Sequence, residues 1–197
     1  MRTRYLTSDE VKRLAKAAKG EEWLPLAVAV STGLRIGDVL KIRPSDFVRH
    51  GVRYRAQKTG KLGHAPLTDD LILALYHSSA GSRWCFPSPK DRRQHLTRQA
   101  AWARMKRACK RAGVDPSGVS PHSLRKVFAV ELLRKTTLAE VQKALQHDRI
   151  DTTELYALAD WATGDNAALP LTRGDLPRIV GQILSLFGIS LDGGLKL

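Results

Sequence analysis

Apolar and polar positions change period once along this chain. In "GVRYRAQ", Val52, Tyr54 and Ala56 alternate with Arg53, Arg55 and Gln57, which predicts a strand with one apolar and one basic face. "KTGKLG" follows as a glycine-bearing turn and "HAPL" as a returning strand, so residues 46 to 67 read as a small antiparallel sheet with a basic hairpin tip. Helical signals lie on both sides. Thr7 and Glu10 are spaced as a capping box that opens a helix to about Lys19. A second helix covers about Glu22 to Ser31 and stops before Gly33. A short third helix runs from Gly37 to about Ile42, where Pro44 prevents continuation.

Beyond the sheet the helices resume at about 69 to 79 and again, strongly basic, at 97 to 112. Ser120 and Pro121 form an N-cap and first helical position for "HSLRKVFAVELLRK". Thr137 and Glu140 are a further capping box, for "LAEVQKAL", and Thr152 opens a helix through Tyr156 to about Asp160. "TGDNAALPLTRGD" is a polar linker. In the final amphipathic helix, Leu176, Ile179, Val180, Ile183, Leu184 and Phe187 share one face, suited to its own domain or to a groove on another protomer. The expected fold class is therefore mainly α with a small antiparallel β-sheet, that is α+β.

Bulk composition narrows the partners. The 197 residues suit one domain with an appendage, and 43% hydrophobic with 26% charged residues is ordinary for a folded protein. No apolar run reaches membrane-span length and "MRTRYLTSDEV" has no signal-peptide core. Cys85 and Cys109 have no metal-ligand spacing and read as reduced thiols, so a cytoplasmic setting without a membrane partner is expected. Thirty-three Lys and Arg against nineteen Asp and Glu give a net charge of +14. Such a chain attracts polyanions, nucleic acid first, although a merely soluble basic protein would share the charge. The charge is clustered. Arg49 to Lys61 holds five Lys or Arg and no acid, and Arg83 to Arg111 holds ten with Asp91 alone opposing them.

Three segments place polar residues where a helical core calls for apolar ones. Arg35 interrupts "TGLRIGDVL"; His122 and Arg125 are three apart on one helix face; His147 precedes Tyr156 by nine residues. Singly, each has an ordinary explanation: an arginine paired with a carboxylate, a satisfied core histidine, a packed tyrosine. Together they suit phosphodiester chemistry. Two guanidiniums can clamp nonbridging oxygens, histidines can donate to them or move protons, and a tyrosine hydroxyl can attack phosphorus. No acidic cluster is spaced to hold Mg²⁺, so no metal and no cofactor are expected. Lys58, at the hairpin tip, can protonate a leaving oxygen.

At these residues the sequence resembles the tyrosine recombinase, or phage integrase, family. Thr32-Gly33-Leu34-Arg35 with Asp38 is similar to its first arginine motif, and His122-Ser123-Leu124-Arg125-Lys126 to its second. His147, Thr152, Thr153 and Tyr156 match the third, and Lys58 in "QKTGK" the hairpin lysine. Order and spacing agree over about residues 5 to 160. The resemblance implies that Tyr156 is the nucleophile, giving a 3′-phosphotyrosyl link and a free 5′-hydroxyl. It implies that Arg35 and Arg125 bind the scissile phosphate, that His122 assists and takes the tyrosine proton, and that His147 hydrogen-bonds the phosphate. Lys58 becomes the general acid. Asp38 supports the site by orienting Arg35 or its neighbours, and Lys126 can still contact phosphate where histidine is commoner. Gln146 replaces the usual glycine before His147, and Ala157 and Leu158 replace the usual polar pair after the tyrosine.

The expected organisation is a catalytic domain over residues 1–162 and a linker with an amphipathic helix over 163–197. "RYLTSDEVKRL" resembles the start of the family's catalytic domain, so the usual preceding core-binding domain is expected to be absent, a departure from the family. The same resemblance implies a DNA strand transferase, integrating or recombining mobile DNA without metal or ATP, and a homo-tetramer on paired duplexes that can be monomeric without DNA. A type IB topoisomerase would share the chemistry, and a non-catalytic DNA-binding module would share the fold. An RNA-binding protein ranks last, since aromatics are only 6% and platforms for stacked bases are few. Arg53, Arg55 and Lys61 near the hairpin, and Arg98, Arg104 and Lys106 on the basic helix, are expected to face DNA, serving phosphates more than bases.

Overall fold

In the computed structural model, which describes residues 3–19, 22–133 and 136–145, the predicted capping box opens α1 (Ser8–Ala17). Thr7 Oγ1 accepts the Glu10 N–H at 3.2 Å, and the Glu10 carboxylate accepts the Thr7 N–H at 2.9 Å. The segment before it is strapped down. Arg4 donates to both Glu10 carboxylate oxygens and to the carbonyl of Asp115, and its N–H meets the carbonyl of Gly118.

α2 (Leu24–Thr32) is buried along its whole length, which is why "LPLAVAVST" shows no polar face. Each fully buried Val or Leu there contributes about 1.5–3 kcal/mol. It begins two residues later than the periodicity suggests, because Pro25 sets its first turn. It ends at Gly33, whose φ of 66° is left-handed. α3 (Ile36–Val39) is a single turn, and a 3-10 turn at Pro44–Asp46 leads into the sheet.

The sheet has three antiparallel strands in the order β1 (Phe47–Val48), β2 (Gly51–Arg55), β3 (Leu62–Pro66). β1 adds a strand to the two the alternation predicts. In β2, Val52 is buried and Tyr54 half-buried while Arg53 and Arg55 are exposed, as the alternation requires. The hairpin tip closes through Ala56 N–H to Lys61 O at 2.9 Å and Gly60 N–H to Ala56 O at 2.7 Å, and Lys58 lies between them.

α4 (Asp69–Ser78) and α5 (Arg98–Arg111) are capped by Thr68 and Thr97, and α5 turns Ala101, Met105, Ala108 and Cys109 inward. α6 (Pro121–Leu133) packs along α2, and α7 (Leu138–Leu145) packs on α6. Ser120 caps α6 as predicted, accepting the His122 N–H at 3.3 Å. Arg35 thus sits just past the end of α2, at the start of α3, and Arg125 in the second turn of α6, which packs on α2. Both cysteines are free and buried, and burial pushes the Cys85 thiol up to about 12. No helix among the described residues is long and apolar enough to cross a membrane. His147, Tyr156 with its helix, the linker and the final amphipathic helix lie outside the described residues.

Candidate active site

The "TGLR" segment is a turn built to present its last residue. Thr32 Oγ1 donates to Val28 O at 2.6 Å and accepts the Leu34 N–H at 3.2 Å, so the threonine fastens both sides of the turn. Gly33 turns left-handed, and an added Cβ there would lie 2.3 Å from the Phe128 ring. Leu34 is buried, whereas Arg35 stands half-exposed at the N-terminal end of α3. Among the described residues the Arg35 side chain makes no hydrogen bond or ion pair.

Arg125 is its opposite in environment. It is 4% exposed and has no carboxylate partner among the described residues. Its Nη1 donates to the carbonyl of Gly33, and its Nη2 to that of Leu145 at 2.7 Å. Burial first, and the neighbouring Arg35 charge second, bring its pKa down to about 10, against the opposing pull of Tyr54 and Asp38. It therefore remains a cation at neutral pH, held in place by backbone carbonyls. Burial pushes the Tyr54 phenol up; Arg125 pulls it down, Asp38 pushes it up and Arg35 pulls it down, and the net direction is up.

These residues converge. One cleft of about 370 Å³ is lined by Arg35, Asp38, Lys58, His122 and Arg125, together with Gln57 and Arg98. Three separate sequence motifs so meet around a single space. His122 and Lys58 are exposed at its rim. Its cations exceed its acids by a wide margin, which suits an anion with several oxygens. Among the described residues no three His, Cys, Asp or Glu side chains gather as metal ligands.

The two supporting residues have backbone partners. Asp38 does not pair with Arg35; its buried Oδ1 accepts the backbone N–H of Gln57 at 2.9 Å, tying the hairpin to α3. Lys126 does not line the cleft, and its Nζ donates to the carbonyl of Thr3 at 3.1 Å, on the N-terminal strap. The sequence reading missed Gln57, whose side-chain Nε2 also donates to the carbonyl of Gly37. Its one sequence signal was a polar residue directly before Lys58.

The wider basic residues divide. Arg98 enters the cleft, while Arg53 and Arg55 line a neighbouring depression of about 620 Å³ with Lys41, Arg43 and Trp84. Arg55 also donates to Gly60 O at 2.9 Å, and Lys61 is exposed on the hairpin. On α5, Lys106 Nζ sits 4.3 Å from the centre of the Trp102 ring, and Arg104 is half-buried. Arg107 and Arg111 share one carboxylate, that of Glu22, as ion-pair partner.

Residues 4–161 match the profile of the phage integrase family. The chain belongs to that family. It is 33% identical over 141 residues to tyrosine recombinase XerD of Yersinia pestis, covering 66% of this chain and 47% of the relative. It therefore spans about half the length of that protein. The lambda integrase catalytic core superposes with a TM-score of 0.60 at 26% identity, covering 75% of this chain and 93% of that one. A lambda integrase tetramer bound to a Holliday junction gives a TM-score of 0.66 at 23% identity, covering 87% of this chain and 52% of that one. The α+β architecture of this phage integrase family member is thus the one its sequence pattern predicted.

Proposed function

We propose that this chain is the catalytic part of a site-specific DNA recombinase that cleaves and rejoins strands through a 3′-phosphotyrosyl intermediate. The observation that carries the reading is the convergence of Arg35, Lys58, His122 and Arg125 on one cleft. Membership of the phage integrase family supports it.

In the proposed reaction the two guanidiniums bind the nonbridging oxygens of the scissile phosphate and stabilise the charge of the transition state. Tyr156 Oη bonds to phosphorus as the P–O5′ bond breaks. The tyrosine proton passes to His122, and the leaving O5′ takes its proton from the Lys58 ammonium. His147 donates a hydrogen bond to the phosphate. The phosphotyrosine bond conserves the energy of the phosphodiester, so religation by a 5′-hydroxyl needs neither ATP nor a metal. Residues 1–162 form the catalytic domain, and 163–197 form the linker and amphipathic helix that docks in cis or on a neighbouring protomer. The partner is double-stranded DNA, engaged by a homo-tetramer on paired sites. Arg98, with Arg53, Arg55, Lys61, Arg104 and Lys106, holds flanking phosphates.

The test is covalent capture. A pool of nicked suicide duplexes with a randomised core is incubated with the full chain, and denaturation-resistant adducts are isolated and sequenced. Wild type forms adducts and Tyr156→Phe forms none. Equal behaviour of the two overturns the nucleophile assignment.

A further inference from the structure

We infer that Gln57 is a positioning residue for Lys58, clasping the hairpin tip to the one-turn helix that Arg35 opens; this rests on the reading of Lys58 as the general acid. Lys58 is exposed, and neither a hydrogen bond nor an ion pair holds its side chain among the described residues. A general acid must nevertheless lie within hydrogen-bond reach of the leaving oxygen. A misplacement of about 1 Å can lower a rate by roughly a hundredfold. The precision must come from the backbone of the tip.

Gln57 supplies it through two bonds to successive residues of α3. Its backbone N–H goes to the Asp38 carboxylate at 2.9 Å, and its side-chain amide to the carbonyl of Gly37. One bond alone is a hinge. Two bonds from one residue to one rigid turn fix its orientation, and with it the position of the next Cα, that of Lys58. Arg35 lies on the other end of the same turn. The acid and one half of the phosphate clamp therefore share a single support.

Gly37 is shaped to receive the amide. A Cβ at that position would lie 3.0 Å from Gln57 Nε2 and 3.5 Å from Arg98 Cδ, so the glycine leaves room for the clasp between α3 and α5. The Gln57 side chain is otherwise exposed and contributes little to the core. Its loss removes precision without unfolding the domain.

The experiment uses a suicide duplex captured by the wild-type chain, made with either a normal 5′-oxygen or a 5′-bridging sulfur at the scissile phosphate. A thiolate leaves without protonation, so the sulfur substrate needs no general acid. Gln57→Ala and Gln57→Met should cleave the oxygen substrate more slowly, on the order of tenfold. On the sulfur substrate both should return to within about twofold of wild type, with melting temperature unchanged. Lys58→Ala is the reference and should show the same rescue. If Lys58→Ala is slow on both substrates, the general-acid reading fails and the inference with it. If Lys58→Ala is rescued while the Gln57 variants are equally slow on both substrates, or show no defect at all, the inference alone is overturned.

Discussion

Arg125 donates a guanidinium N–H to the carbonyl oxygen of Gly33, so the second arginine motif holds the turn that presents the first. The contact needs Gly33 twice over. Its left-handed φ of 66° disfavours a side chain, and a Cβ would meet the Phe128 ring at 2.3 Å. Gly33→Ala is expected to cost on the order of 2–4 kcal/mol, from backbone strain together with overpacking. Denaturant unfolding measures the loss. Adding Phe128→Leu should recover the packing share and leave the backbone share, because the ring is gone and the dihedral is not. No recovery would mean that Phe128 is not the obstacle.

Asp38 is buried, yet it serves a backbone N–H of the hairpin and not a neighbouring cation. Asp38→Asn keeps an oxygen where Oδ1 accepts that bond, whereas Asp38→Leu removes it. Hydrogen exchange at the Gln57 amide should accelerate at least about tenfold in the leucine variant and stay near wild type in the asparagine variant. The leucine variant should also lose about 1–3 kcal/mol, the usual penalty for a buried group left without its partner. Similar exchange in both variants would show that Asp38 acts through its charge alone.

What could be read from the chain divides along the range of the interaction. The caps at Thr7 and Ser120, the two faces of β2 and the stop at Gly33 rest on neighbours a few residues away, and all are where the pattern puts them. Arg35 stood out as a charge in an apolar run, and Lys58, His122 and Arg125 through motif order and spacing; all four line one cleft. β1 was not, since two residues are too few to show a period. Nor was the start of α2, buried on every side and so without a polar face to time it. Pairings across the fold were hidden altogether. Gln57 finds Asp38 and Gly37 on α3, 19 and 20 residues back, Lys126 finds Thr3, and Glu22 finds Arg107 and Arg111 some 85 and 89 residues on. Counting basic residues on α5 cannot reveal that two of them share an ion-pair partner on another element.

That pairing makes the basic helix unequal along its length. Arg98 and Lys106 are available to phosphates, whereas Arg107 and Arg111 are held by Glu22. Arg98→Ala and Lys106→Ala should each lower the slope of log affinity against log salt by about 1 on duplex DNA. Arg111→Ala should leave the slope unchanged and lower the melting temperature. Glu22→Gln should release both arginines and raise non-specific affinity. Fluorescence anisotropy across a salt series separates these outcomes, and an equal slope change for Arg98 and Arg111 would contradict the division.

Arg35 offers the sharpest test, because its two readings oppose each other. An arginine paired within the core would stabilise the fold; this one has no partner among the described residues and sits close enough to Arg125 to depress its pKa. Two like charges facing one cleft repel. Arg35→Ala should therefore leave stability unchanged or raise it, by up to about 1 kcal/mol given partial exposure and solvent screening. For a domain of this size that corresponds to a rise of roughly 2–4 °C in melting temperature. Adduct formation should be lost in the same variant. Arg35→Lys should keep the repulsion and still fail to cleave, since an ammonium cannot span two phosphate oxygens as a guanidinium does. Inorganic phosphate separates the cases further. It should raise the melting temperature of wild type by binding the folded state, and do so less for either variant. A clear loss of stability in Arg35→Ala would restore the structural reading and remove Arg35 from the clamp.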